Sequence, residues 1–167
     1  HLLEQRCALV TDNPANLLPA DTLLLGLSSI HWREAWKYGE RAFRYCQHDI
    51  GHAVAALRYA AALLGWQVSM LDQWGDDDVA TVLGLDRASD FGRAEVEQPD
   101  LIWQITAGPI AGGAVPAERL CAAALAGQWQ GEANVLSADH GHQWPVIGEV
   151  ASACHKPPAA PQQQHRL

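Results

Sequence analysis

Positive charge is scarce in this sequence. Eleven Lys and Arg face 19 Asp and Glu, a formal net charge of -8 at pH 7, which argues against a nucleic acid or an anionic membrane surface as partner. A small-molecule, peptide or protein partner is expected instead. Cysteine is also sparse: Cys7, Cys46, Cys121 and Cys154 are scattered, with no CxxC pair. That spacing lacks a disulfide framework and fits a reducing compartment, so a cytoplasmic location is expected. The longest apolar run is too short for a membrane span and is interrupted by Arg58. No internal repeat recurs at a fixed period, and nothing resembles a signal peptide. The chain opens on His1 in mid-pattern, so we expect a piece of a longer polypeptide.

Nucleotide loops are missing too. The Gly-rich connection AGPIAGGAVP is followed by no Gly-Lys-Ser/Thr, and the spacing GxGxxG is absent. Asp76, Asp77 and Asp78 lack the alternating ligands and closing glutamate of a calcium loop. They read better as the first turn of a helix over VATVLGL, where carboxylates meet unpaired N–H groups and the positive end of the helix dipole.

What is present is a globular pattern. With 167 residues and 49% hydrophobic content, the chain can build one domain with its own core. Ile50, Ala53, Val54, Leu57, Ala60, Ala61 and Leu64 recur at three- and four-residue spacing, which predicts a helix over 49–65, stopped by Gly65. Its many Ala side chains predict burial on most faces, against a sheet or a partner subunit. TLLLGLSSI ahead of it, QVSML after it and DLIWQIT further on are strand candidates. Residues 31–48 suit a bend or short helix. AERLCAAALAG, opened by Pro116 and closed by Gly127, is a further helix. Residues 128–155 are expected to be helical in part, with Trp129 and Trp144 as core or interface aromatics. The Pro- and Gln-rich residues 156–167 read as a disordered tail or linker. The order of elements defines an α+β or α/β class.

Two constellations carry possible chemistry. His48 and His52 stand four apart, the helical spacing for a shared metal, but the residue after the first is Asp49 rather than the glutamate of zinc proteases. Hydrogen-bonded structural histidines are the favoured reading. His140, His142, Cys154 and His155 match no metal-site spacing, and an exposed loop is the default there. Lys37 and Tyr38, followed by Arg41 and Arg44, combine an acid, a nearby cation and groups able to hold a phosphate or carboxylate. A solvated or ion-paired surface is the competing reading.

The run WREAWKYGERAFRYCQHDIGHAVAALRYAAALLGW resembles the nitroreductase-like flavoproteins, in particular the SagB-type dehydrogenase branch that includes azoline oxidases. The similarity is dense over residues 22–75 and looser through WPVIGEVASACHKP. It implies an α+β fold around a mixed sheet with a long central helix over residues 1–155, lacking its N-terminal part. It also implies a homodimer built on that helix, with FMN at the interface. Lys37 and Tyr38 match the catalytic Lys-Tyr pair, and Ser69, Met70, Leu71 and Asp72 match the segment along the flavin ring, with a backbone N–H facing N5. NAD(P)H is a candidate electron donor, and the substrate is a small molecule or peptide. Two departures stand out: Gln73 replaces a frequent Gly, and no Arg/Ser phosphate motif precedes the block. They motivate the alternative of a non-catalytic dimeric binding or scaffold domain that has lost its flavin.

Overall fold

A computed structural model describes residues 7–9, 17–108 and 114–159. The elements in order are β1 (Cys7–Leu9), β2 (Thr22–Ser29), α1 (His31–Tyr38), a 3₁₀ turn (Gly39–Arg41), α2 (Ala42–Leu63) and β3 (Gln67–Met70). They continue with α3 (Asp76–Leu83), α4 (Ala88–Phe91), β4 (Gln98–Thr106), α5 (Ala117–Ala126), β5 (Gln128–Gln130) and α6 (Pro145–Ala153). The class is α+β. A three-stranded antiparallel sheet in the order β2-β4-β3 forms the centre, and β1 pairs with β5 in a separate two-stranded ribbon.

β4 lies between two neighbours, and its residues from Ile102 to Thr106 are all buried. Alternation sends Ile102 and Gln104 to one face. On that face Leu71, Trp74, Val79, Ile102 and Val115 form the principal core, with Leu83 and Leu120 packed against it. Gly26 lies opposite Ile102 in the β2–β4 register. A Cβ there would stand 2.6 Å from Leu83 Cδ2, so glycine lets α3 approach the sheet. Pro99 sits where the register slips between Leu27 and Ser28, a bulge that tolerates a residue unable to donate to the ladder.

The expected strands at 22–30, 67–71 and 100–106 are present with small boundary changes. The long helix differs more. It starts at Ala42, seven residues before the periodic stripe, because Ala42 packs with Ala35 of α1 and Ile147 of α6 in a second small core. Aromatic and charged residues in this stretch hid the helix from a pattern reading. Its end matches expectation: Trp66 N–H reaches Ala61 O at 2.9 Å while Gly65 takes φ 71, a left-handed C-terminal cap.

The burial of α2 departs from expectation within this chain. Only Ala42, Cys46 and Ala61 are buried, and Tyr59, Leu63 and Leu64 are 75%, 89% and 64% exposed. No helix among the described residues is long and apolar enough to cross a membrane.

The acidic triplet behaves as a helix start. Gly75 is the N-cap of α3, and its N–H donates to Asp78 Oδ2 at 2.9 Å. Pro116 is itself the N-cap of α5, one position earlier than its expected place inside the helix. Between Gly127 and α6 the observed element is the short strand β5, and Pro145 opens α6. Part of AGPIAGGAVP, residues 109–113, and the end of the tail, residues 160–167, lie outside the described residues.

Candidate functional site

The segment leaving β3 is fixed by bonds on every side. Ser69 and Met70 pair with Gln104 and Trp103 of β4, and Leu71 N–H extends the ladder to Ile102 O at 3.0 Å. Leu71 then buries its side chain in the main core, whereas Met70 faces outward. The Trp74 indole donates to Val115 O at 2.9 Å. Neither the Asp72 nor the Gln73 N–H meets a backbone acceptor among the described residues.

Residues 154–159 cross this segment as a strap. The Lys156 ammonium donates to the carbonyls of Asp72 and Trp74. Asp76 N–H donates to Lys156 O, and Ala159 N–H to Gln73 O, both at 2.9 Å. Gly75 closes the contact: a Cβ there would lie 2.7 Å from Pro158. Residues 156–159, read from composition as the start of a disordered tail, therefore bond to the 72–76 turn.

Lys37 and Tyr38 end α1. The Tyr38 ring stacks on Tyr45 with centroids 4.0 Å apart, and Lys37 Nζ lies 5.1 Å above the Tyr38 ring centroid. Their neighbour Gly39 has φ 61, and the space a side chain would need is taken by Trp144, 3.2 Å from the ideal Cβ. Arg33, Lys37, Arg41 and Arg44 are all exposed. None of the four forms an ion pair among the described residues. They are groups able to meet an anion. His48 and His52 are exposed on α2, and no group of three or more His, Cys, Asp or Glu among the described residues is arranged to hold a metal.

A cavity of about 860 Å³ is walled by α1, α3, α6 and the loops at 94–99 and 140–145. Its organising group is Glu95, whose side chain is 1% exposed. Burial pushes the carboxyl up, but accepted hydrogen bonds outweigh this and hold it below the usual range. Leu136 and Ser137 N–H donate at 2.9 and 3.0 Å, and His140 Nε2 lies 3.0 Å away. Trp32 fixes the same loop by donating to His140 O at 2.9 Å, with its ring edge-on to the imidazole. A carboxylate so held orients the His140 ring and sets which nitrogen carries a proton.

His31, at the start of α1, also lines this cavity. It is 8% exposed, burial lowers its pKa, and its Nε2 has no partner among the described residues. An adjoining cavity of about 210 Å³ shares His31, Asp76, Gln98, Pro99 and Ala151. Near it, Ser29 Oγ and Gln47 Nε2 donate to Asp100 at 2.7 and 3.3 Å.

Sequence reasoning left the histidines at 140–155 as an exposed loop and missed Glu95 altogether. Its partners lie 41 to 45 residues further along the chain, so no local spacing announces them. The one readable trace is a carboxylate inside the apolar alternation AEVEQ. No family model matches the chain, and no curated protein or solved structure matches it either.

Proposed function

We propose that the chain is part of an FMN-dependent oxidoreductase of the nitroreductase-like, SagB type, acting as a homodimer through α2. One observation carries the reading. Tyr59, Leu63 and Leu64 are bare towards the end of α2, and Trp66 and Met70, just ahead of β3 and at its end, are also exposed, close along the chain to the segment expected to run along a flavin. A planar apolar cofactor and a second copy of the chain are the occupants that such a surface suits.

The residues present fit the ring edge. The Asp72 and Gln73 N–H groups remain available to an acceptor such as N5, despite the Gln73 departure. The strap and the Leu71 anchor fix that main chain before anything binds, which lowers the ordering cost of binding. Arg33, Lys37, Arg41 and Arg44 are the cations on hand for a phosphate. When bound, FMN supplies hydride transfer at N5, with a small-molecule or peptide substrate, or NAD(P)H, on the other side of the exchange. Tyr38 Oη would then give or take the proton.

The scaffold reading draws on a different observation. Lys37 lies over the face of Tyr38 rather than at its hydroxyl, and Tyr38 is stacked on Tyr45, an arrangement that serves packing. The visible absorption spectrum of the purified full-length product, with released flavin identified after denaturation, separates the two. Bound FMN, with turnover lowered in Tyr38→Phe at unchanged flavin content, is the expected result. A colourless dimer that takes up no added FMN would establish the scaffold.

A further inference from the structure

The strap that crosses the 72–76 turn is matched to it donor for donor. Pro157 and Pro158 have no N–H, so between Lys156 and Ala159 the strap offers two main-chain donors. Both are spent on the turn: Lys156 N–H donates to Asp76 Oδ2 and Ala159 N–H to Gln73 O, each at 2.9 Å. In return Lys156 O accepts from Asp76 N–H, and the Lys156 ammonium reaches the carbonyls of Asp72 and Trp74. The prolines also stiffen the strap before it docks, because each fixes its own φ and Pro157 holds Lys156 in extended backbone.

Gly75 is shaped for this contact. Its φ of -83 and ψ of 168 are open to any residue, and serine is a better helix N-cap than glycine. The strap is what requires glycine there: an added Cβ would stand 2.7 Å from the main-chain nitrogen of Pro158 and 3.1 Å from Lys156 O. Yet the attachment is polar throughout. Every residue from Ser152 to Ala159 is exposed, and hydrogen bonds at a solvated surface return little beyond the cost of ordering the chain that makes them. An element held in that way opens locally, well below the free energy of global unfolding. The turn has firmer footing only at Leu71 and Trp74, whose side chains are buried in the main core. Between those two anchors, the Gln73 carbonyl is held by the strap.

We infer that residues 154–159 are a releasable clasp: shut, they lock the main chain of residues 72–76 in one conformation, and open, they free Gln73. The device governs order at the turn whatever the turn binds, so it stands apart from the flavin reading. On that reading, the clasp sets how far the Asp72 and Gln73 N–H groups are ordered before FMN arrives.

The test is amide hydrogen exchange and ¹⁵N relaxation on the purified full chain, native and with Gly75→Ser, which keeps an N-cap while placing a Cβ in the path of the strap. In the native chain Asp76 and Ala159 N–H should be protected to the same degree, at least about tenfold less than Leu71 N–H, which bonds to Ile102 O, and Gln73 should have the order parameter of rigid backbone, about 0.85. In Gly75→Ser, Asp76 and Ala159 should lose at least roughly a further tenfold in protection, and the Gln73 order parameter should fall below about 0.6. Val79 N–H, bonded to Gly75 O at the start of α3, should stay protected. Lys156→Met keeps the stem, removes the ammonium and should act in the same direction by less; if Val79 also loosens in Gly75→Ser, this second variant decides by the same readings. Native Asp76 and Ala159 protected as strongly as Leu71 overturn the inference, because the strap would then open only with the sheet. A Gln73 that stays rigid in the variants overturns it too, since the turn would hold itself and the strap would be a passenger.

Discussion

The large cavity and the C-terminal end of α2 are built on opposite plans. Around the cavity, polar groups from distant parts of the chain answer one another: Glu95 takes two backbone N–H groups and His140, Asp100 takes Ser29 and Gln47, and Trp32 holds the 140 loop. Towards the C-terminal end of α2, Tyr59, Leu63 and Leu64 are largely exposed among the described residues. The first surface is completed by its own chain, and the second leaves large apolar side chains bare. On the dimer reading proposed above, the C-terminal turns of α2 are the part of the helix left for a second copy.

The sharpest way to break the comparison is at Glu95. Glu95→Ala orphans two N–H groups and the His140 imidazole, which should cost about 2–4 kcal/mol. A shift in the denaturant midpoint at unchanged slope measures it. A loss below 0.5 kcal/mol would show that the 136–142 loop is held by something else.

Next in size is the pH dependence of that same anchor. The folded pKa of Glu95 is depressed, so its stabilisation is complete above the ordinary carboxyl value of about 4.3 and is lost as pH falls through that value towards the folded one. Asp100 has the opposite sign. Burial raises it, with the Ser29 and Gln47 bonds offsetting only part of the rise, so its contribution declines as pH climbs from the ordinary value through the raised one. Midpoints recorded against pH for the native chain and Glu95→Gln should therefore converge at the acid end. A constant gap would contradict the assignment.

The legibility of these regions in sequence follows from how local their causes are. The sheet strands and the C-terminal stop of α2 came from short apolar runs, three- and four-residue spacing and Gly65, all of which act within a few residues. The first seven residues of α2 did not, because Ala42 is helical through packing on Ala35 and Ile147, and Phe43, Arg44 and Tyr45 carry no simple period. The cavity was the least legible. Glu95, His140 and His31 come to line one cavity only once three helices and two loops are in place, and tertiary arrangements of that kind leave no spacing to read. The segment 69–72 and the pair Lys37 and Tyr38 were identified by resemblance, and the fold now gives each a definite environment: one braced by the strap, the other stacked at the end of α1.

A smaller effect on the protomer, with a large one on assembly, is expected at Leu63. Placing Asp there adds a charge to an exposed position, so protomer stability should change by no more than about 0.5 kcal/mol. If a second copy covers α2, the buried charge should dissociate the dimer, read as a halving of mass by light scattering. A variant that stays dimeric would move the interface away from this helix.

The finest test asks where on α2 the protomer ends. Cys46, in the second turn, is buried, and burial, with Glu34 adding to it, pushes its thiol up to about 11. Cys121 on α5 is likewise raised to about 11, by burial and then by Asp78. At pH 8 a thiol of that pKa is about one part in a thousand thiolate, the form that alkylates. Cys154, at the C-terminal end of α6, is exposed. Iodoacetamide should therefore label Cys154 ahead of Cys46 and Cys121, which should stay intact until the chain unfolds, as peptide mass mapping would reveal. Because Cys46 and Leu63 share one helix, rapid labelling of Cys46 would mean that the N-terminal turns are open as well. The boundary between the self-completed and the partner-seeking surface would then shift back towards α1.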